Sequence, residues 1–446
     1  MNTPICDFVR SYAAKDPLRL HMPGHKGRPV LGPEALDITE VEGADVLYHA
    51  RGIIRESEEN AASLFGTAAT FYSTEGSSLC IRAMLYLALL QAKEEGREPL
   101  ILAGRNAHKT FLSAIALLDL EVEWLYPSQE AGLLSCPVEP AQLEAAFAGE
   151  RKPTAVYVTA PDYLGNLLDI RALAELCHRH GALLLVDNAH GAYLHFLPQP
   201  IHPMDLGADL CCDSAHKTLP VLTGGAYLHI SRTAPAGLKG QGENALSLFA
   251  STSPSYLILQ SLDRVNLYLW EKFPTQLKSF LGDLSVLKGE LKGRNYPLVG
   301  QEPLKLTIAS KPLGYNGQDL AKHLQSVEIE PEFADPDFLV LMLTPEIGKQ
   351  GLERLQKSLE ALSHRPSLSQ RPPALPRPRR IMTPRQALLS PQEEIPVSQC
   401  FGRILASAAV SCPPAIPILI CGEQIDCSAM DCFQYYGIER CAVVKQ

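Results

Sequence analysis

No stretch of the 446 residues approaches the roughly twenty consecutive apolar side chains that a membrane-crossing helix requires. Nor does the amino terminus, Met1-Asn2-Thr3-Pro4-Ile5-Cys6-Asp7, place a basic segment before an apolar core, so a secretory leader is not expected. An excess of positive charge is missing as well. The 40 Lys and Arg stand against 49 Asp and Glu, giving a formal charge of -9 and an isoelectric point near 5.8, which argues against a nucleic-acid-binding surface. Among the 12 cysteines there is no paired Cys-x-x-Cys set at zinc spacing. No metal site is therefore expected, and in a chain expected to be cytoplasmic the thiols are expected to be reduced, including the six from Cys400 to Cys441. Internal repeats are absent too. What remains is a chain with 46% hydrophobic residues, able to bury a large core and long enough for two or three domains.

The chemistry is concentrated in two short runs. Lys217 lies in Asp213-Ser214-Ala215-His216-Lys217-Thr218, thirty residues after Asp187 in Val186-Asp187-Asn188-Ala189-His190-Gly191. A lysine can hold an aldehyde cofactor as a Schiff base, and a buried carboxylate opposite a pyridine nitrogen keeps that nitrogen protonated, so the pair reads as a pyridoxal 5'-phosphate (PLP) site. Residues 182–186 and 208–212 are apolar runs suited to strands buried on both faces, and each ends just before one of these motifs. Residues 154–158 lead likewise into Pro161-Asp162-Tyr163-Leu164-Gly165, and residues 100–103 into Arg105-Asn106-Ala107-His108-Lys109. Open parallel sheets bind ligands at that edge. Asp187 alone reads as a helix cap; four strands delivering polar clusters to one edge outweigh that reading.

The phosphate end is placed by Thr74-Glu75-Gly76-Ser77-Ser78, ahead of a helical run over 79–90. The first turn of such a helix offers N–H groups, a positive dipole end and two hydroxyls to a dianion, and Gly76 lets the backbone approach closely. In isolation the segment is only a helix cap. Ser214 and His216 are placed to complete the phosphate cup from the lysine side. His108, after a strand end, suits stacking on a pyridine face, although a lone histidine is more often a polar loop residue.

Together these runs resemble the Orn/Lys/Arg decarboxylases of the aspartate-aminotransferase PLP fold. The likeness begins at His21-Met22-Pro23-Gly24-His25-Lys26-Gly27, continues through Asp37-Ile38-Thr39-Glu40, Glu75-Gly76-Ser77-Ser78 and the three motifs around His108, Asp187 and Lys217, and reaches Gly402-Arg403-Ile404, Pro413-Pro414-Ala415-Ile416-Pro417 and Gly422-Glu423. It implies an α/β chain of PLP-dependent transferase fold type I, with a mainly parallel sheet in a three-layer large domain and smaller α/β and C-terminal domains. It also implies the roles of Lys217 (cofactor lysine), Asp187 (pyridine-nitrogen partner) and His108 (ring stacking), with Gly76, Ser77, Ser78, His190, Ser214 and His216 as cofactor neighbours. The reaction implied is decarboxylation of a basic L-amino acid, arginine first, then lysine or ornithine, to an amine and CO2 in polyamine metabolism. Glu423 is the candidate partner for the substrate's cation and Arg403 for its carboxylate. An aminotransferase or lyase on the same fold, or a PLP-binding paralogue without activity, remain alternatives. The implied assembly is at least a homodimer, and the short form without a receiver-like N-terminal domain is expected. Four departures concern the substrate end: Asn188 stands where the family usually has Glu, Gly224-Gly225 follow Thr223 where polar residues are common, and Cys412 and Ala415 replace the usual Tyr and Gly around the double proline.

Composition divides the chain into an N-terminal arm (1–30), a PLP-binding large domain (31–275), a small α/β domain (276–362) with strands expected at 304–308 and 338–343, a Pro/Arg-rich linker (363–385) and a C-terminal domain (386–446).

Overall fold

A computed structural model describes residues 1–127, 133–363, 365–412 and 416–446. The double proline 413–414, Ala415 and the side chain of Cys412 lie outside the described residues. The chain forms two compact units, one from Met1–Pro99, Thr154–Val156 and Ile170–Lys278, the other from Leu100–Pro153, Tyr157–Asp169 and Ser279–Gln446.

The central strands are β1 (Ala69–Ser73), β2 (Leu100–Gly104), β3 (Glu121–Leu125), β4 (Ala155–Thr159), β5 (Leu183–Asp187), β6 (Leu210–Asp213) and β7 (Ala226–Ile230). In the first unit the order is β1-β7-β6-β5. β5 and β6 are parallel, with Asp187 opposite Cys212, while β7 runs antiparallel to both β6 and β1. Every residue of these four strands is buried. That is why Leu183-Leu184-Leu185-Val186 is a continuous apolar run and not an alternating one.

The segment expected to be an arm begins with a docked helix, Pro4–Ala14. Ile5 and Val9, one helical turn apart, are fully buried against the helices Ile53–Leu64 and Tyr256–Glu271, and the Cys6 N–H donates to Asp263 Oδ2 at 2.9 Å. Beyond it the chain is irregular, pinned by buried Arg19, whose guanidinium donates to the carbonyls of Ala35 and Asp37.

In the second unit β2 and β3 pair in parallel. A four-stranded antiparallel sheet has the order β10-β11-β9-β8, with β8 Leu298–Val299, β9 Lys305–Ala309, β10 Phe333–Ala334 and β11 Phe338–Met342. Two further pairs close the chain: β12 (Gln392–Pro396) with β15 (Arg440–Val444), and β13 (Ala409–Cys412) with β14 (Ile416–Ile420). Their core is built on Leu405, Ile418, Leu419, Ile425, Phe433 and Val443. Among the described residues of the Pro/Arg-rich stretch no helix precedes Pro384–Leu388, which Thr383 caps through a reciprocal bond with Gln386. The described cysteines are free thiols, and all but Cys427 are buried. Among the described residues no helix is long and apolar enough to cross a membrane.

Candidate active site

Because β5 and β6 are parallel neighbours, the segments that follow them leave the sheet at one edge. Asp187 is the last residue of β5 and is buried; the Ala189 N–H donates to its Oδ1 at 3.2 Å, and Cys212 Sγ lies 3.7 Å from the same oxygen. After β6, Ser214 leads into the single turn Ala215–Thr218, which carries Lys217. Lys217 Nζ sits 3.0 Å from His190 Nε2, so the turn after β5 and the turn after β6 meet through these two side chains.

The candidate phosphate end lies in the same unit. Ser77 opens the helix Ser77–Glu94, with Gly76, which has no side chain to offer the first turn, at the cap position at φ +72°. The positive dipole end of this helix and its first-turn amides are the groups that would meet an anion here. Ser214 Oγ donates to Ser77 Oγ at 2.7 Å, which brings the lysine segment and the helix start together. His216 Nδ1 donates to the Gly225 carbonyl at 2.9 Å, and burial holds its imidazole below its ordinary pKa. Gly224 explains one departure: its φ is +102°, its carbonyl accepts the Gly76 N–H at 2.7 Å, and a Cβ there would lie 2.8 Å from the Thr74 carbonyl oxygen. Only glycine lets this loop close on the helix start. An amine, a buried carboxylate on the neighbouring strand, and a helix start beside the hydroxyls of Ser77 and Ser214 match the aldehyde, pyridine nitrogen and phosphate of PLP, so the donor set fits that group.

The other expected site residues lie in the second unit. His108 caps the helix Lys109–Leu118, its Nδ1 accepting the Thr110 N–H at 3.2 Å, which fixes the ring's orientation. Glu423 is buried, and its Oε2 accepts from Arg105 Nη2 at 2.8 Å and from the Ile420 N–H at 2.8 Å. The carboxylate expected to meet a substrate cation thus also forms a buried ion pair with Arg105. Arg403 Nη2, expected as a carboxylate anchor, donates to Glu393 Oε1 at 2.5 Å and to the Val444 carbonyl at 2.9 Å and so fastens β12 and β15. Arg105 was not singled out from the sequence. It is 1% exposed and packs near the rings of Trp124 and Tyr126, with centroids 5.3 and 5.6 Å away. Its place directly after a buried strand was the available signal.

A lysine and a carboxylate on adjacent strand ends, facing a helix start, define the site class of PLP-dependent enzymes on an α/β fold. Residues 3–272 match the Orn/Lys/Arg decarboxylase major domain and residues 372–441 the C-terminal domain of the same enzymes, so the chain belongs to the Orn/Lys/Arg decarboxylase family. It is a PLP-dependent amino-acid decarboxylase. Over 452 residues, 95% of this chain and 92% of the relative, it is 30% identical to the uncharacterized protein YaaO of Bacillus subtilis (strain 168). The arginine decarboxylase of the same organism is 29% identical over 458 residues, 95% of this chain and 91% of that one. The lysine decarboxylase LdcF of Francisella novicida superposes with a TM-score of 0.81 at 16% identity, covering 99% of this chain and 81% of that chain, and shows the same fold. The fold class is accordingly PLP fold type I, and PLP is the cofactor the family implies.

Proposed function

We propose that the chain converts a basic L-amino acid, arginine ahead of lysine and ornithine, to the corresponding amine and CO2 in polyamine metabolism. The observation that carries the reading is the Lys217–His190 contact at 3.0 Å beside buried Asp187. Its substrate class is supported by relatives named arginine decarboxylase that match 95% of the chain. PLP, when bound, supplies the electron sink for the bonding pair released as CO2 departs. Asp187 holds a proton on the pyridine nitrogen by charge pairing. Ser77, Ser78 and Ser214, with His216 beside them, would hold the phosphate; ring stacking is the role that the family resemblance gives His108. Lys217 would hold the cofactor aldehyde through its amine, and His190, at hydrogen-bond distance, would take up and return the proton of that amine. Each turnover puts a proton where the carboxylate was.

The working form is at least a homodimer. Arg19 is buried and holds its segment in place, while Leu18 and Leu20 on either side, with Val30 and Leu31, are largely exposed, an apolar set suited to a second copy.

The test is CO2 release from each amino acid by the PLP-loaded enzyme. Release from arginine, lysine or ornithine with no second substrate is expected. Release confined to acidic or aromatic amino acids, turnover only with a keto-acid acceptor, or bound PLP without turnover overturns the reading.

A further inference from the structure

Asp213 ends β6, four residues ahead of Lys217, and its side chain is fully buried. Its Oδ2 lies 3.0 Å from His202 Nε2 and 3.1 Å from His229 Nε2, and its Oδ1 accepts from Asn188 Nδ2 at 2.7 Å. The proton on each imidazole follows from the ring's other nitrogen. The Met204 N–H donates to His202 Nδ1 at 3.2 Å, so the ring proton is on Nε2 and points at Asp213. Thr70 Oγ1 is 2.8 Å from His229 Nδ1, and with its hydroxyl donating there, His229 presents Nε2–H to the same carboxylate. His202, Cys211 and Asp213 stand close enough together to ligate a cation, but a nitrogen that carries a proton toward a carboxylate is not a ligand. Hydrogen bonds account for the cluster. Burial resists ionisation of Asp213, yet the two imidazoles outweigh it and hold the carboxyl below its ordinary range, while burial keeps His229 below its own.

Asn188 links this buried carboxylate to the lysine. Its N–H bonds the Cys212 carbonyl at 3.0 Å and its carbonyl takes the Gly191 N–H at 2.8 Å, closing the turn 188–191. A Cβ on Gly191 would lie 2.0 Å from Asn188 Oδ1, so the amide fills the space under the turn and excludes any larger residue there. That turn carries His190, whose Nε2 meets Lys217 Nζ. The family's usual Glu at this position would set a second carboxylate against Asp213; Asn188 supplies a donor in its place.

We propose that Asp213 is a positioning residue for Lys217: by fixing the Asn188 amide it sets the turn 188–191, and with it the approach of His190 to the lysine amine. The inference rests on Lys217 being the cofactor lysine.

Exchange of the two partners tests it. In Asp213→Asn the carboxylate that accepts from Asn188 and the two imidazoles becomes a neutral amide, which, with its oxygen toward the imidazoles, keeps its bond to residue 188 only if the Asn188 amide turns over; in Asn188→Asp two carboxylates face each other. The double exchange, Asn188→Asp with Asp213→Asn, restores one donor and one acceptor in reversed order. Apoprotein of each variant is titrated with PLP, and the visible absorbance gives a Kd and a pH midpoint. Each single variant is expected to weaken Kd about tenfold or more, as for loss of a hydrogen bond to a buried charge, and to move the pH midpoint by about half a unit or more. The double variant is expected to return to within about threefold of the parent Kd and to the parent midpoint. Single variants indistinguishable from the parent, or a double variant no better than the singles, overturn the proposal; if a single variant does not fold, the double variant decides in the same way. Borohydride trapping and peptide mapping in the parent separate the two claims. Label on Lys217 with no rescue removes Asp213 alone, whereas label on another lysine removes the underlying reading and the proposal with it.

Discussion

Glu423→Gln keeps the shape of the side chain and removes its charge, which separates two roles open to a carboxylate at that position. As the partner of Arg105, with both side chains almost wholly out of water, Glu423 balances a buried guanidinium. Removing one member of such a pair leaves the other charge uncompensated, at a cost of about 3 kcal/mol. The variant is expected to lose stability by that amount in urea denaturation while the KM for a basic amino acid stays at the parent value. A raised KM at unchanged stability gives the opposite answer and returns Glu423 to substrate binding. The same pair shows what the sequence hides at this scale. Lys217 and Asp187 stand out in the sequence because few residue types suit the chemistry proposed for them and each lies at or after the end of a buried strand. The ion pair of Glu423 does not, because its partner lies 318 positions away and no local pattern announces it. Asp213 escaped notice for a related reason: His202, His229 and Asn188 converge on it only once β5, β6 and β7 are side by side.

Between elements, Glu58 joins the helix Ile53–Leu64 to β1. Its Oε1 accepts the Tyr72 N–H at 2.9 Å, its Oε2 has no partner among the described residues, and burial lifts its pKa from 4.5 to about 8. The folded protein therefore retains a proton that the unfolded chain releases above about pH 4.5. Stability from this group is full below the unfolded pKa and is lost as pH rises toward 8, at up to about 1.4 kcal/mol per unit. Glu58→Gln still accepts the Tyr72 N–H and does not titrate. Urea denaturation at pH 5 and pH 8 is expected to show a smaller fall for the variant than for the parent; equal falls mean that Glu58 is ionised when folded. Elements also mark where sequence reading succeeds. The apolar runs 182–186 and 338–343 became β5 and β11, since a strand buried on both faces leaves a continuous apolar signature. The helix Pro4–Ala14 was read as an arm because its buried face offers little beyond Ile5 and Val9, and the helix Tyr256–Glu271 that helps cover it is some 250 residues on.

For the whole molecule the open quantity is the number of chains that work together, and residues 17–33 carry the argument. Arg19 is buried and bonded to the carbonyls of Ala35 and Asp37, and His25 Nε2 lies 3.1 Å from Asp37 Oδ2, so the segment is held against its own unit. A segment fixed in this way still leaves Leu18 85%, Leu20 84% and Leu31 89% exposed. Covering such side chains is worth about 25 cal/mol for each Å² removed from water, a gain that a second copy of the chain would realise in the proposed homodimer. Replacing Leu18, Leu20 and Leu31 with Ser removes that gain without opening a cavity, because none of the three is packed in the fold. The parent is expected to scatter light at a mass above the 48.7 kDa of one chain, and the triple variant to dissociate at concentrations about tenfold higher or more, with a melting temperature close to that of the parent's separated chains. Deleting residues 1–16 acts on the other side of this division, since it removes buried Ile5 and Val9 and the Cys6 contact to Asp263, and it is expected to lower the melting temperature whatever the assembly. A fully active parent of 48.7 kDa removes the homodimer, and a triple variant of unchanged mass moves the interface elsewhere.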